Sequence, residues 1–114
     1  MTSDTFQTLL YSVGVFQHYF GYAYLQEAVV LAAEKPERLH SIRKEIYFPV
    51  AKKHHTNVHN VEKDIRTVRD ILIRNGGTDL LTELTGFDSW DGKRLYPKEL
   101  IGILAAVTQE AAVL

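Results

Sequence analysis

The seventeen residues from Val58 to Arg74 constrain this 114-residue chain more than any other segment. Val58, Val61, Ile65, Val68 and Leu72 recur at three- and four-residue intervals. At 100° per residue they fall within about 80° of one another, which is the pattern of a helix with one buried side. The opposite side carries His59, Asn60, Lys63, Arg66, Thr67, Asp70 and Arg74. Thr56-Asn57 supplies turn and capping residues in front of this helix, and Asn75-Gly76-Gly77 is a C-terminal stop behind it.

The rest of the chain is also patterned for helices. Ser3 or Asp4 can cap a first helix bearing Phe6, Leu9, Leu10 and Val13, with Gly14 at its end. A second is expected from about His18 to Glu34, with Phe20, Tyr24, Ala28 and Leu31 on one stripe and Leu25 and Val29 beside it. Pro36 suits the first position of another helix. Leu39, Ile42 and Ile46 continue the spacing to Pro49, which interrupts it or starts the short basic piece PVAKKHH, residues 49–55. Thr78 or Asp79 is expected to cap a helix holding Leu80, Leu81 and Leu84, closed by Gly86. Phe87–Tyr96, with Asp91-Gly92, reads as a loop or small turn in which Trp90 pins the loop to the bundle. Pro97 starts a last helix with Leu100, Ile101, Leu104 and Val107 inward. No segment reads as a strand. The expected fold is all-α: one domain over residues 1–114, a compact bundle of about six helices.

With no cysteine, a disulfide framework, a thiolate zinc site and a cysteine nucleophile are excluded. No apolar run approaches the ~20 residues that span a bilayer, and no signal-peptide pattern opens the chain. A cytoplasmic protein with no membrane partner is expected. The net charge of −1 hides an asymmetry. Residues 1–37 carry one Lys against four acids, residues 38–74 nine Lys or Arg against four acids, and residues 75–114 three basic groups against six acids. A basic middle third between two acidic flanks points to a polyanionic partner for that third alone.

A short helix, a tight turn and a longer helix, all within the basic block, form a helix-turn-helix arrangement over about residues 49–75. Ala51 provides the small residue where the two helices cross. Asn60, Lys63, Arg66 and Thr67 are suited to base edges in a major groove, and Glu62, on the shoulder, could accept from a cytosine amino group. Lys52, Lys53, Thr56, Asn57, His59, Arg69 and Arg74 are placed for phosphates. Arg66, Asp70 and Arg74 are also spaced for i,i+4 pairs on the surface.

The segments GYAYLQEAV, IYFPVAKKHHT and VEKDIR, then RNGG and LTGF, resemble the DNA-binding (C-terminal effector) domain of the stage-zero sporulation response regulators, from about Gly14 to Ala106. The resemblance implies a six-helix bundle that reads a short operator box and binds double-stranded DNA as tandem copies. Glu62 and Arg66 match residues of that family's recognition helix. Lys63 and Asn60 stand where the family has arginines, Asp64 replaces a small residue, Thr67 replaces a histidine, and His54 stands in place of an aromatic residue. Lys63 keeps the charge and loses the bidentate fork that suits guanine. Nothing resembles the family's receiver domain, so the chain reads as the effector part, excised or standalone. Met1 and the capped first helix favour a standalone regulator without its own receiver.

Other constellations point elsewhere less well. His54, His55 and His59 could ligate a metal, since His55 and His59 are four apart, but a turn separates them and no carboxylate or cysteine is placed to complete a tetrahedral set; no metal and no cofactor are expected. Phe16, Tyr19, Phe20, Tyr22 and Tyr24, at helical spacing in an acidic third, read as core. Glu27, Glu34 and Glu37 read as solvated carboxylates. No phosphate loop or nucleophile elbow occurs, so neither enzymatic activity nor a small-molecule substrate is expected. The last helix is apolar on more than one face, which fits a homodimer contact and fits the central packing helix of the bundle equally. A rival reading takes the chain as a diverged protein-interaction module that modulates a related full-length regulator by heterodimerising through this helix. A reading face broken by Asp64 and Asp70 would favour that rival; a continuous positive face would favour DNA.

Overall fold

The computed structural model describes residues 2–88 and 95–113. It contains α1 (Thr2–Ser12), α2 (Phe20–Glu34), a 3-10 segment (Pro36–Ser41), a π segment (Arg43–Tyr47), α3 (Phe48–Lys53), α4 (Val58–Arg74), α5 (Gly77–Thr85) and α6 (Pro97–Val113), and no strand among the described residues. The all-α bundle is therefore as expected. Trp90 and the Asp91-Gly92 turn lie outside the described residues.

One core holds the helices together. Phe6, Leu10, Val13 and Val15 meet Tyr22, Leu25, Ala28 and Val29 of α2, then Val61, Ile65, Val68 and Leu72 of α4, and Leu100, Ile101 and Leu104 of α6, all buried. α2 is the hub, packing on both α4 and α6. The last helix is accordingly a central packing element along Leu100, Ile101, Leu104, Ala105 and Thr108, with Val107 only half-buried.

Several local expectations are corrected. α1 begins at Thr2, so Ser3 and Asp4 lie inside its first turn and not ahead of it. α2 begins at Phe20, two residues later than expected, and its buried stripe is Gly21, Tyr22, Tyr24, Leu25, Ala28, Val29 and Ala32. Phe20 is 76% exposed and Phe16 42%, so of the aromatic cluster only Tyr22 and Tyr24 are core. The cause is Gly21. A Cβ there would sit 2.3 Å from the Asp64 carbonyl oxygen and 2.5 Å from Val68 Cγ2, so α2 and α4 cross backbone to backbone at this point and Gly21, not Phe20, faces the core. α5 starts at Gly77 behind Gly76, whose φ of 80° reverses the chain, so Thr78 and Asp79 are first-turn residues and make no cap.

Pro36 occupies the first turn of the 3-10 segment as its ring geometry favours. The path from Pro36 to Lys53 stays helical, but the Phe48 N–H reaches back to the Arg43 carbonyl, a five-residue step that widens the turn before Pro49. Ile46 and Tyr47 are buried on it. α3 then ends at Lys53, short of the expected His55.

Candidate nucleic-acid interface

α3, the turn 54–57 and α4 build the basic face. Ala51 is buried where α3 meets α4, and its carbonyl accepts the Thr56 N–H at 2.9 Å, closing the turn. His55 takes a left-handed φ of 55°, alone among the described non-glycine residues, which turns the chain sharply out of α3. Asn57 then caps α4: its side-chain oxygen accepts the Asn60 N–H at 2.8 Å. The Asn60 Nδ2 donates back to Thr56 Oγ1 at 3.0 Å, so turn and first helical turn are tied twice. His54 closes the turn from below, edge-on to Tyr24 with ring centroids 5.1 Å apart, its Nε2 buried without a partner.

On α4 the stripe Val61, Ile65, Val68 and Leu72 is fully buried and Val58 half-buried, so the opposite side is free. His59, Lys63, Arg66, Thr67, Asp70 and Arg74 are exposed there, beside Lys52, Lys53 and His55. Lys52, Lys63 and Arg74 form no ion pair among the described residues, while Lys53 Nζ donates to Glu27 Oε1 on α2 at 2.7 Å. Glu27 is thus a paired carboxylate, and so is Glu34, which accepts from Arg38 at 3.0 Å. Thr67 returns its hydroxyl to the Lys63 carbonyl at 3.1 Å, a bond that leaves its oxygen lone pairs outward.

The charges of α4 pair differently from their spacing. Arg66 donates to Glu62 Oε1 at 2.9 Å, and Arg43 of the π segment donates to Glu62 Oε2 at 2.6 Å. Both oxygens of Glu62 are engaged by arginines before any base approaches. Asp70 pairs with neither Arg66 nor Arg74; it accepts from Arg69 Nε at 3.1 Å and Nη2 at 2.8 Å. The Arg69 side chain is only 13% exposed and its Nη1 donates to the Leu95 carbonyl at 3.4 Å, so it ties α4 to the approach of α6 and is not presented to a phosphate.

Under this corner lies Tyr47, whose hydroxyl ionises only at about 12: burial raises it first and the Glu62 carboxylate adds to this, with Arg66 and Arg43 opposing. Asp64 is half-buried, about 80° from the centre of the buried stripe on the side where its carbonyl meets Gly21, and so lies off the reading face. Asp70 is on that face with its charge matched by Arg69. Between His59 and Asp70 the cations of this face are Lys63, which is unpaired among the described residues, and Arg66, which is paired with Glu62.

Two residues of consequence were missed in the sequence. Arg43 stands nineteen residues from Glu62, a separation no helical periodicity connects. Gly21 did carry a signal, since a glycine inside a helical pattern costs about 1 kcal/mol against alanine and so calls for a packing reason. Among the described residues no helix is long and apolar enough to cross a membrane, and no three potential metal ligands converge. A family model described as the sporulation initiation factor Spo0A C terminal matches residues 6–107 of the chain.

Proposed function

The chain belongs to this family of Spo0A C-terminal domains, a family of DNA-binding effectors and not of enzymes, and on that premise we propose that it is a sequence-specific transcriptional regulator. In this reading residues 49–75 act as a helix-turn-helix, with α4 in the major groove of double-stranded DNA. The observation that carries the reading is the free face of α4, where a run of exposed donors lies opposite a fully buried stripe. Lys63, Arg66, Thr67 and Asn60 meet base edges. Lys52, Lys53, Thr56, Asn57, His59 and Arg74 meet phosphates. The Thr56 hydroxyl keeps its own proton for a phosphate oxygen while it accepts from Asn60.

The test is fluorescence anisotropy with a duplex selected from a random pool and with a scrambled duplex, each over a salt series. With about five phosphate contacts, log K should fall against log salt with a slope near −4 to −5. Lys52→Ala should weaken both duplexes alike, whereas Arg66→Ala should cost about 1–3 kcal/mol on the selected duplex and relax preference at one base pair. Equal effects of the two changes on both duplexes would defeat the assignment.

A second reading has its own observation. α5 and α6 leave an open groove of 440 Å³ walled by Leu84, Ile103, Ala106 and Val107. A module that pairs with a related regulator through α6 would use such a surface. Absence of binding to either duplex at low salt, together with sedimentation as a mixed dimer with that regulator, would favour it.

A further inference from the structure

We propose that Arg43, Glu62 and Arg66 act on DNA as one unit in which Glu62 is a positioning residue: it aims Arg66 at a base edge and presents Arg43 to the phosphate backbone beside the groove. The inference rests on the DNA-binding reading above and assigns a contact, Arg43, that lies outside the helix-turn-helix.

The geometry is a single carboxylate with one guanidinium on each oxygen, at 2.6 Å to Arg43 and 2.9 Å to Arg66. Glu62 is the least exposed of the three at 26%, against 65% for Arg43 and 47% for Arg66. The anion is therefore set back and the two cations project past it. Each is a single charge-assisted bond, which restricts where the guanidinium sits and leaves its other N–H donors free, a restraint that an unpaired arginine on an open helix face lacks. On the α4 wheel Arg66 lies about 40° further toward the free face than Glu62, so the fork that Glu62 holds is offered to the groove. Arg43 comes from the other side of Glu62, on the π segment that packs on α4. It thus adds a cation beside Glu62 from a segment that precedes α3 and its Lys52 and Lys53. The unit carries two positive charges and one negative, so it keeps an excess for a phosphate. A carboxylate already accepting from two arginines has little capacity left for a cytosine amino group, so the specificity attached to Glu62 is exerted through Arg66.

The experiment compares the parent chain, Arg43→Gln, Arg43→Lys, Glu62→Gln, Arg66→Ala and Glu62→Gln/Arg66→Ala on the selected and scrambled duplexes over a salt series. A panel of single base-pair changes in the selected duplex gives the preference at each position. Circular dichroism melts verify that the variants fold; all three side chains are on the surface. Arg43→Gln should weaken both duplexes by a similar factor, roughly 3- to 10-fold at low salt, and shrink the salt slope by about one. Arg43→Lys should restore the slope, since a phosphate accepts either cation. Glu62→Gln should lose roughly tenfold or more of the preference at the same base pair as Arg66→Ala, while on the scrambled duplex the removed negative charge offsets the loosened hold on Arg43 and affinity changes by less than about threefold. The double change should be no worse than Arg66→Ala alone.

Loss of preference at a different base pair from Arg66→Ala, additive in the double change, would overturn the positioning role and make Glu62 a direct base contact. An unchanged slope in Arg43→Gln would overturn the phosphate contact. If the parent chain binds no duplex in a salt-dependent way, the DNA reading itself fails, an outcome distinct from either of these.

Discussion

Replacing Gly21 with alanine tests how α4 is held. The new Cβ would lie 2.3 Å from the Asp64 carbonyl oxygen, 2.5 Å from Val68 Cγ2 and 2.9 Å from the Asp64 carbonyl carbon. Two of the three atoms are backbone and cannot rotate away, so α2 must back off α4 by about 1 Å to restore contact distances. A gap of that size forfeits about a quarter to a half of the dispersion attraction across the crossing. Overpacking of this kind costs about 1–3 kcal/mol, and a backbone obstacle puts the cost at the upper end. Alanine gains up to about 1 kcal/mol of helix propensity over glycine, less in the first turn, where Gly21 sits. The net expectation is a loss of about 2 kcal/mol, read as a lower urea midpoint with an unchanged m-value. Gly102→Ala is the matched control. Its Cβ would meet only the Leu39 Cδ1, at 3.4 Å, the end of a side chain that can yield, so the change should be neutral or stabilising. Equal stability of the parent and Gly21→Ala, or equal shifts in the two variants, would refute the claim that Gly21 is required by the α2–α4 crossing.

Arg69→Ala should lower stability by about 1 kcal/mol through loss of its bonds to Asp70 and the Leu95 carbonyl, and should leave the salt slope of DNA binding unchanged; a smaller slope would restore it as a phosphate contact. Asn57→Ala removes the cap of α4 and should cost about 1 kcal/mol in urea unfolding, whereas Asn57→Asp should retain most of it. The Tyr47 hydroxyl is protonated in the folded chain up to about pH 12 but only to about 10 when unfolded, so its contribution to stability is complete below pH 10 and lost as pH rises to 12. The melting temperature should fall over that window, and Tyr47→Phe should flatten the fall; an identical slope in the variant would count against the burial of that hydroxyl.

What was legible in the sequence follows from how strongly each segment separates apolar from polar residues. α4 was read to its last residue because its faces differ sharply and its ends carry Asn57 and Asn75-Gly76. The rotation of α2 is not legible. It is apolar nearly all round, so Phe20, Tyr22, Tyr24, Leu25 and Val29 allow several stripes, and the choice is made by the partner helix through Gly21. The ion pairs depart from their spacing for a related reason: Asp70 has three arginines within four residues, and only tertiary placement selects Arg69. The Arg43–Glu62 bond depends on how the segment before α3 packs on α4, which no local pattern encodes.

The wide turn over Arg43–Tyr47 has a consequence for phase. A regular α-helix would close the same turn with one residue fewer, and each residue turns the chain by about 100° about the axis. The helical path from Pro36 to Lys53 thus changes register partway without a break, much as a bulge does in a strand. Side chains upstream of the turn are indexed to the bundle independently of those downstream, so the angle at which Arg43 meets Glu62 can differ from the angle at which α3 presents Lys52 and Lys53. One helical stretch in this chain serves two separate orientational demands.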